Sequence, residues 1–337
     1  MISVPRFELM TVRGLACVAL VAYHVVGPTH VSGMHLPVNS YWHLAMNSLD
    51  FLRMPTFTVL SGFLYAAHRA DFHSLPQFYL KKAARLGLPL VFVTTIVFIL
   101  RMRVYHDSTT YAEALFFHYE HLWFLQALIL IFVSVGAWDA FRRPSWVELG
   151  VVGFAAVMVS RTFQTSTFLS LNGAFYLLPF FVAGMIMRMQ STHLRSEELT
   201  KLAIAVVAIV ILAEQASNAF GGTEISRSSL PAALCGVCGT YLMLVHCPRM
   251  WLAEFVGRYS YTVFLWHSVA ASGARHILRA YVLLPSAVEF SFLLAVGLFV
   301  PMLLHRLVEP VPILSLLATG MRASVRKPNL NPLVSAG

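Results

Sequence analysis

Ten apolar segments, each long enough to cross ~30 Å of hydrocarbon as a helix, divide this chain almost end to end. They run at 10–29, 45–67, 86–104, 121–139, 145–161, 168–189, 199–217, 228–246, 259–279 and 285–308. A lipid core offers no water to unpaired backbone groups, so segments of this length must satisfy them internally as helices. The expectation is an all-α membrane protein, a polytopic bundle of about ten transmembrane helices. Composition agrees: 58% of residues are hydrophobic, 12% are charged and the mean hydropathy is +0.71, whereas a soluble domain carries about 25% charged residues. No polar stretch could form a separate soluble domain. Residues 1–312 therefore read as a single membrane domain and 313–337 as a short basic cytoplasmic tail. The first apolar run is long and is followed by further spans, unlike a cleavable signal.

The 24 Lys and Arg residues set the expected orientation. With the N-terminus inside, 17 fall on the inner side, 6 on the outer side, and Arg53 lies within the second segment. This bias predicts both termini in the cytoplasm, with His30–His43 and Val104–His121 outside. The net charge of +9 is then a mark of topology, and no nucleic-acid partner is expected. Cys235 and Cys238 form a CxxC inside an apolar segment. Ala232, Gly236 and Thr240 surround it at small-xxx-small spacing, which favours helix packing over a metal or redox pair.

Ionisable residues inside such segments are costly and mark function. Arg13 and His24 lie eleven residues apart on the first segment, on one helix face and ~16 Å apart along its axis. His24 has the chemistry of a general base. Arg13 offers a donor fork suited to phosphate or carboxylate. In the second segment, Asp50 and Arg53 are spaced to pair with each other, ahead of Pro55 and Ser61-Gly62. Lys81, Lys82 and Arg85 sit between apolar residues of Leu75–Leu90. They suit an interfacial helix, either as a positive-inside anchor or as a phosphate-binding mouth. His106, Asp107, Glu113, His118, Glu120 and His121 precede the fourth segment without a metal-ligand spacing, so no metal is expected. Trp123 suits an interfacial anchor. His267 is a second deep histidine, and Glu214 and Glu289 read as interface residues near outer helix ends.

Several of these features recur in one order. The chain carries Arg-x10-His, then Met54-Pro-x-Phe-x-x-x-Ser-Gly-Phe63, then Lys82-x-x-Arg85. His121-Leu-Trp-Phe-Leu125, Leu178-Pro-Phe-Phe-x-x-Gly184, Ser260-Tyr-x-x-x-Leu-x-His267 and a closing Glu309-Pro310 follow. This series resembles the acyltransferase-3 family, bacterial integral-membrane O-acyltransferases that decorate surface glycans, lipids and antibiotics. The resemblance spans essentially the whole chain and suits the stand-alone form. Thr56 and Thr58 stand where aromatics are common, and no basic residue follows the closing Glu. The resemblance implies acyl transfer, of an acetyl or succinyl group, from acyl-CoA to a hydroxyl of a surface polysaccharide, oligosaccharide or glycolipid. It implies no permanently bound cofactor and a place in the bilayer of the bacterial inner membrane. Arg13 and His24 match the Arg-x10-His pair, and Lys82 with Arg85 match the Lys/Arg-x-x-Arg pair. His24 and Arg13 are then the expected catalytic residues, and Lys81, Lys82 and Arg85 the expected donor site. Asp50, Arg53, Ser61, His121, Trp123 and His267 are acceptor or oxyanion candidates. Two other classes compete. A multispan transporter of a glycan or anionic precursor predicts inverted repeats, and none is visible. A scaffold in an export complex leaves Arg13 and His24 unexplained.

Overall fold

The computed structural model of the chain describes residues 6–30, 32–37, 40–162, 167–220, 222 and 225–321, and those residues contain helices and no strand. The helices are α1 (Arg6–Val26), α2 (Tyr41–Ser48), α3 (Asp50–Ala67), α4 (Leu75–Lys82), α5 (Leu88–Tyr105), α6 (Tyr111–Phe116), α7 (Trp123–Arg142) and α8 (Trp146–Thr162). They continue with α9 (Leu171–Met189), α10 (Glu197–Ala219), α11 (Leu230–His246), α12 (Trp251–Tyr281), α13 (Ser286–Val308) and α14 (Pro312–Thr319).

Each of the ten apolar segments is helical, so the helical bundle expected from sequence is observed. The count of ten spans is not. Six helical stretches among the described residues are long and apolar enough to cross a membrane: Glu8–Val26, Leu75–Tyr105, Tyr111–Arg142, Phe168–Met189, Glu197–Ala219 and Ser286–Val308. Helix α11 is apolar but has 17 residues. Helices α3 and α12 carry Asp50, Arg53, Glu254, His267 and Arg275 along their lengths. Much of that polarity faces inward, where Arg53, Glu254 and His267 are buried. Apolarity counted along the sequence misses a helix whose polar groups line the inside of the bundle.

Helix α1 packs against α12, α3 and α13, and α3 packs against α9. Glycines permit the closest crossings. A Cβ on Gly14 would lie 1.8 Å from the Ala253 carbonyl oxygen, and one on Gly257 would lie 2.0 Å from that of Met10. Helices α1 and α12 run parallel. The Cys17 thiol faces the Ser260 carbonyl across 243 residues of sequence. The same helix faces meet at Gly14 with Gly257 and at His24 with His267.

Helix α4 continues through a π-helical turn, Ala83–Gly87, into α5. The wider turn re-aims the side chains around it, as π-bulges do at functional sites. The Arg85 carbonyl there accepts a 2.8 Å bond from the Tyr261 hydroxyl. Helix α14 packs on α5, α12 and α13, and its Ala318 carbonyl accepts from Trp266 Nε1 at 2.8 Å. The expected basic tail thus begins with a packed helix; its Arg322, Arg326 and Lys327 lie outside the described residues.

The cysteines are free thiols. Beside Cys235 and Cys238, Thr240 bonds Thr56 at 3.0 Å, and a Cβ on Gly236 would meet the Phe51 carbonyl at 2.8 Å. This is the helix packing read from the small-residue spacing. Glu214 and Glu289 are buried instead of interfacial. Glu214 accepts from the Ile225 amide at 2.8 Å, and Glu289 accepts from Arg279 at 3.0 Å. Arg69 pairs with Asp139, which is fully buried.

Candidate active site

Two cavities open into the bundle, and Phe264 of α12 lines both. One, of about 960 Å³, holds His24, His121 and Trp123 and is here called the histidine cavity. The other, of about 600 Å³, holds Arg13, Lys81, Lys82 and Arg85 and is called the basic cavity. Phe264 is 4% exposed and packs edge-on or tilted against Phe124, at 5.3 Å between ring centroids, and against His121, at 5.6 Å. One aromatic ring therefore stands in the wall between the two chambers. Arg13 and His24 share a helix, as their spacing predicts, but open into different chambers.

His24 of α1 and His121, just ahead of α7, line the histidine cavity, and the fully buried His267 of α12 packs against both rings. The His24 and His267 ring centroids are 4.9 Å apart, those of His121 and His267 4.9 Å, and those of His24 and His121 6.2 Å. Backbone carbonyls fix two of the tautomers. His267 Nδ1 lies 2.9 Å from the carbonyls of Val263 and Phe264, so Nδ1 carries the proton and Nε2 is left as a buried, unpaired acceptor. His121 Nε2 lies 3.2 Å from the Leu265 carbonyl, which leaves Nδ1 as a buried, unpaired acceptor. Both rings thus present lone pairs at their open nitrogens. In these tautomers the open nitrogen of each ring is an acceptor. His24 is half-buried and lines the cavity. Among the described residues, no group of His, Cys, Asp and Glu has the arrangement of a metal site.

Arg53 is a buried donor in this chamber, whose lining also includes Arg101, Arg227 and Arg275. Its guanidinium pairs with Asp50, as the spacing predicts, and lies 3.4 Å from the Tyr23 ring centroid. It is 3% exposed, and its Nε is buried without a partner. Asp50 also pairs with Arg227. Trp123 stacks on His118 at 5.2 Å and 16°. Gly173 leaves room for that indole, since a Cβ there would come within 2.8 Å of it. Ser61 is not brought to His24. It lines the basic cavity, and its hydroxyl donates to the Phe57 carbonyl at 2.8 Å.

In the basic cavity Lys82 Nζ sits 3.5 Å from the Phe132 ring centroid. Among the described residues, Arg13, Lys81, Lys82 and Arg85 form no ion pair, so the chamber carries uncompensated positive charge. Sequence spacing misses Tyr23, Arg227 and Phe264. Tyr23 adjoins His24, but the partnership with Arg227 spans 204 residues and Phe264 reads as one aromatic among many.

No curated protein and no solved structure matches this chain. The family profile described as Acyltransferase domain, the acyltransferase-3 family, matches residues 7–306. A membrane bundle with a histidine chamber and a basic chamber on either side of one ring thus carries this family's sequence over nearly its whole length, and the chain belongs to the acyltransferase-3 family of membrane acyltransferases.

Proposed function

We propose that this protein transfers an acyl group, acetyl or succinyl, from cytoplasmic acyl-CoA to a hydroxyl of a surface glycan or glycolipid at the outer side of the bacterial inner membrane. The observation that carries the reading is the pair of cavities that share Phe264, one basic and one histidine-lined. The donor's phosphates meet Arg13, Lys81, Lys82 and Arg85, whose unpaired charge favours a polyanion. Helix geometry puts His24 ~16 Å from Arg13. A pantetheine arm has comparable length, so the thioester reaches the histidine chamber while the nucleotide stays in the basic one.

There, His24 accepts the proton of the attacking hydroxyl, and the hydroxyl oxygen bonds to the thioester carbonyl carbon. The positive charge of Arg53, buried beside this cluster, stabilises the developing oxyanion. Collapse of the intermediate expels the CoA thiolate, which takes the proton from His24. The open acceptor nitrogens of His121 and His267 face the same cluster and hold the His24 ring in place when it is protonated. Trp123 and His118 give a flat aromatic surface of the kind that packs against a sugar ring. Arg227 and Asp50 complete the polar wall.

Purified protein in nanodiscs tests the division of labour. Lys82→Ala/Arg85→Ala is expected to weaken acyl-CoA binding in isothermal titration. His24→Ala is expected to keep donor binding and lose transfer to a glycan acceptor by ~10²–10⁴-fold. Unchanged donor affinity in the double variant reduces the cluster to a topological anchor and removes the two-sided path.

A further inference from the structure

Asp50 lies between two guanidinium groups. Its two carboxylate oxygens pair separately with Arg53 and Arg227. One negative charge facing two positive ones leaves an excess positive charge in a corner walled by Tyr23 and Tyr176. Such an excess in a low-dielectric cleft attracts an anion strongly. Arg53 adds a second mark. Its Nε is buried without a partner, and a buried donor left unmade costs free energy that a bound acceptor recovers.

The corner is also held in shape. Tyr23 carries Arg53 on its face at 3.4 Å and accepts from Arg227 Nη2 at 3.3 Å. The loop bearing Arg227 is tied down on both sides, by the Ile225 amide on Glu214 and by Ser229 capping α11 at the Ala232 amide. Arg227 remains 55% exposed, so its fork faces the cavity mouth. Tyr23 adjoins His24, with ring centroids 5.2 Å apart.

We propose that Asp50, Arg53 and Arg227 against Tyr23 form a subsite for an anionic group, a phosphate or carboxylate, carried by the acceptor. An arginine fork recognises both oxyanions in a bidentate manner. Bound there, the anion places a neighbouring hydroxyl of the same molecule beside His24. The acceptor is then an acidic or phosphorylated glycan or glycolipid, not a neutral one. A dicarboxylic acyl group is the other source of negative charge in this chamber. It arrives across Phe264, whereas Arg227 stands on an exposed loop at the mouth. This inference rests on the acyl-transfer reading.

The test uses binding alone, on the full chain in nanodiscs at low salt, with glucose 1-phosphate and methyl glucoside as probes. The wild type is expected to bind the phosphorylated probe about tenfold tighter or more, as bonds to a charged group allow. Arg227→Gln is expected to bring the two probes within about threefold, Arg227→Lys to restore part of the gap, and acyl-CoA affinity to stay unchanged in both. Equal affinities in the wild type, or a preference untouched by Arg227→Gln, overturns the subsite. A parallel titration compares succinyl-CoA with acetyl-CoA. If Arg227→Gln abolishes a succinyl preference and leaves the sugar-phosphate preference intact, the anion belongs to the acyl group and the acceptor subsite is overturned. Failure of the acyl-transfer reading shows instead as no transfer from acyl-CoA to any glycan acceptor by the wild type, an outcome that leaves the probe ratio where it was.

Discussion

Replacing Phe264 with alanine removes the ring shared by the two chambers. The ring is nearly buried and touches Phe124, His121 and His267 at centroid distances of 5.3, 5.6 and 6.4 Å. Truncating a core phenylalanine costs about 3–5 kcal/mol, and lost aromatic pairing supplies about 0.5–1.5 kcal/mol of that. Here two sides of the ring already face cavities, so the lower end of about 3 kcal/mol applies, which a domain of ordinary stability survives. The functional effect is larger. With the ring gone, water joins the thioester path, and acyl-CoA is hydrolysed without an acceptor. The ratio of hydrolysis to transfer is expected to rise at least about tenfold, equivalent to ~1.4 kcal/mol of lost discrimination. Phe264→Leu, which refills much of the volume, is expected to fall between. The assay is thiol release from acyl-CoA with and without acceptor, beside a thermal unfolding curve that certifies the fold. A folded Phe264→Ala protein with unchanged thiol release and unchanged transfer refutes the claim that the two chambers belong to one reaction path.

Three further outcomes follow from particular contacts. Asp139→Ala strands Arg69 beside an empty site and is expected to destabilise the bundle by about 3–5 kcal/mol, read as a lowered unfolding temperature in detergent. Around Asp107, bonds from the Arg101 guanidinium and from Thr109 hold the carboxyl down at about 2 from its usual 3.8. A depressed carboxyl stabilises above its unfolded pKa and loses that contribution as pH falls through its folded one. Asp107→Asn is thus expected to melt below wild type at pH 7, with the gap closing between about pH 4 and pH 2. Trp123→Ala is expected to raise the KM for a glycan acceptor and leave acyl-CoA binding intact, since its indole lies in the histidine cavity and away from the basic one.

How much of this was legible in the sequence varies with distance along the chain. The Arg13–His24 relation was readable because a helix has a fixed rise, and so was the Asp50–Arg53 pair. The seven ordered motifs carried the family. The number of spans was not legible, because α3 and α12 hide their polar groups inside the bundle and composition alone cannot tell inside from outside. His121 read as an interfacial loop residue, yet it is 5% exposed. Its burial depends on the Leu265 carbonyl, 144 residues away. The tautomers of His121 and His267 follow from carbonyl positions that no spacing encodes. Ser61 was a reasonable hydroxyl, but its rotation about α3 turns it to the other chamber.

The glycine crossing of α1 and α12 gives the site a fulcrum. His24 lies ten residues beyond Gly14, and His267 ten beyond Gly257, so each histidine stands at the end of a ~15 Å arm. Equal arms keep the two rings level for any common tilt, while a wedge at the pivot spreads them. A methyl group at Gly14 that opens the crossing by about 5° moves the ring pair apart by about 1 Å, a displacement that costs on the order of 10²-fold in a positioned reaction. The residues with the greatest mechanical advantage over this chemistry therefore carry no functional group at all.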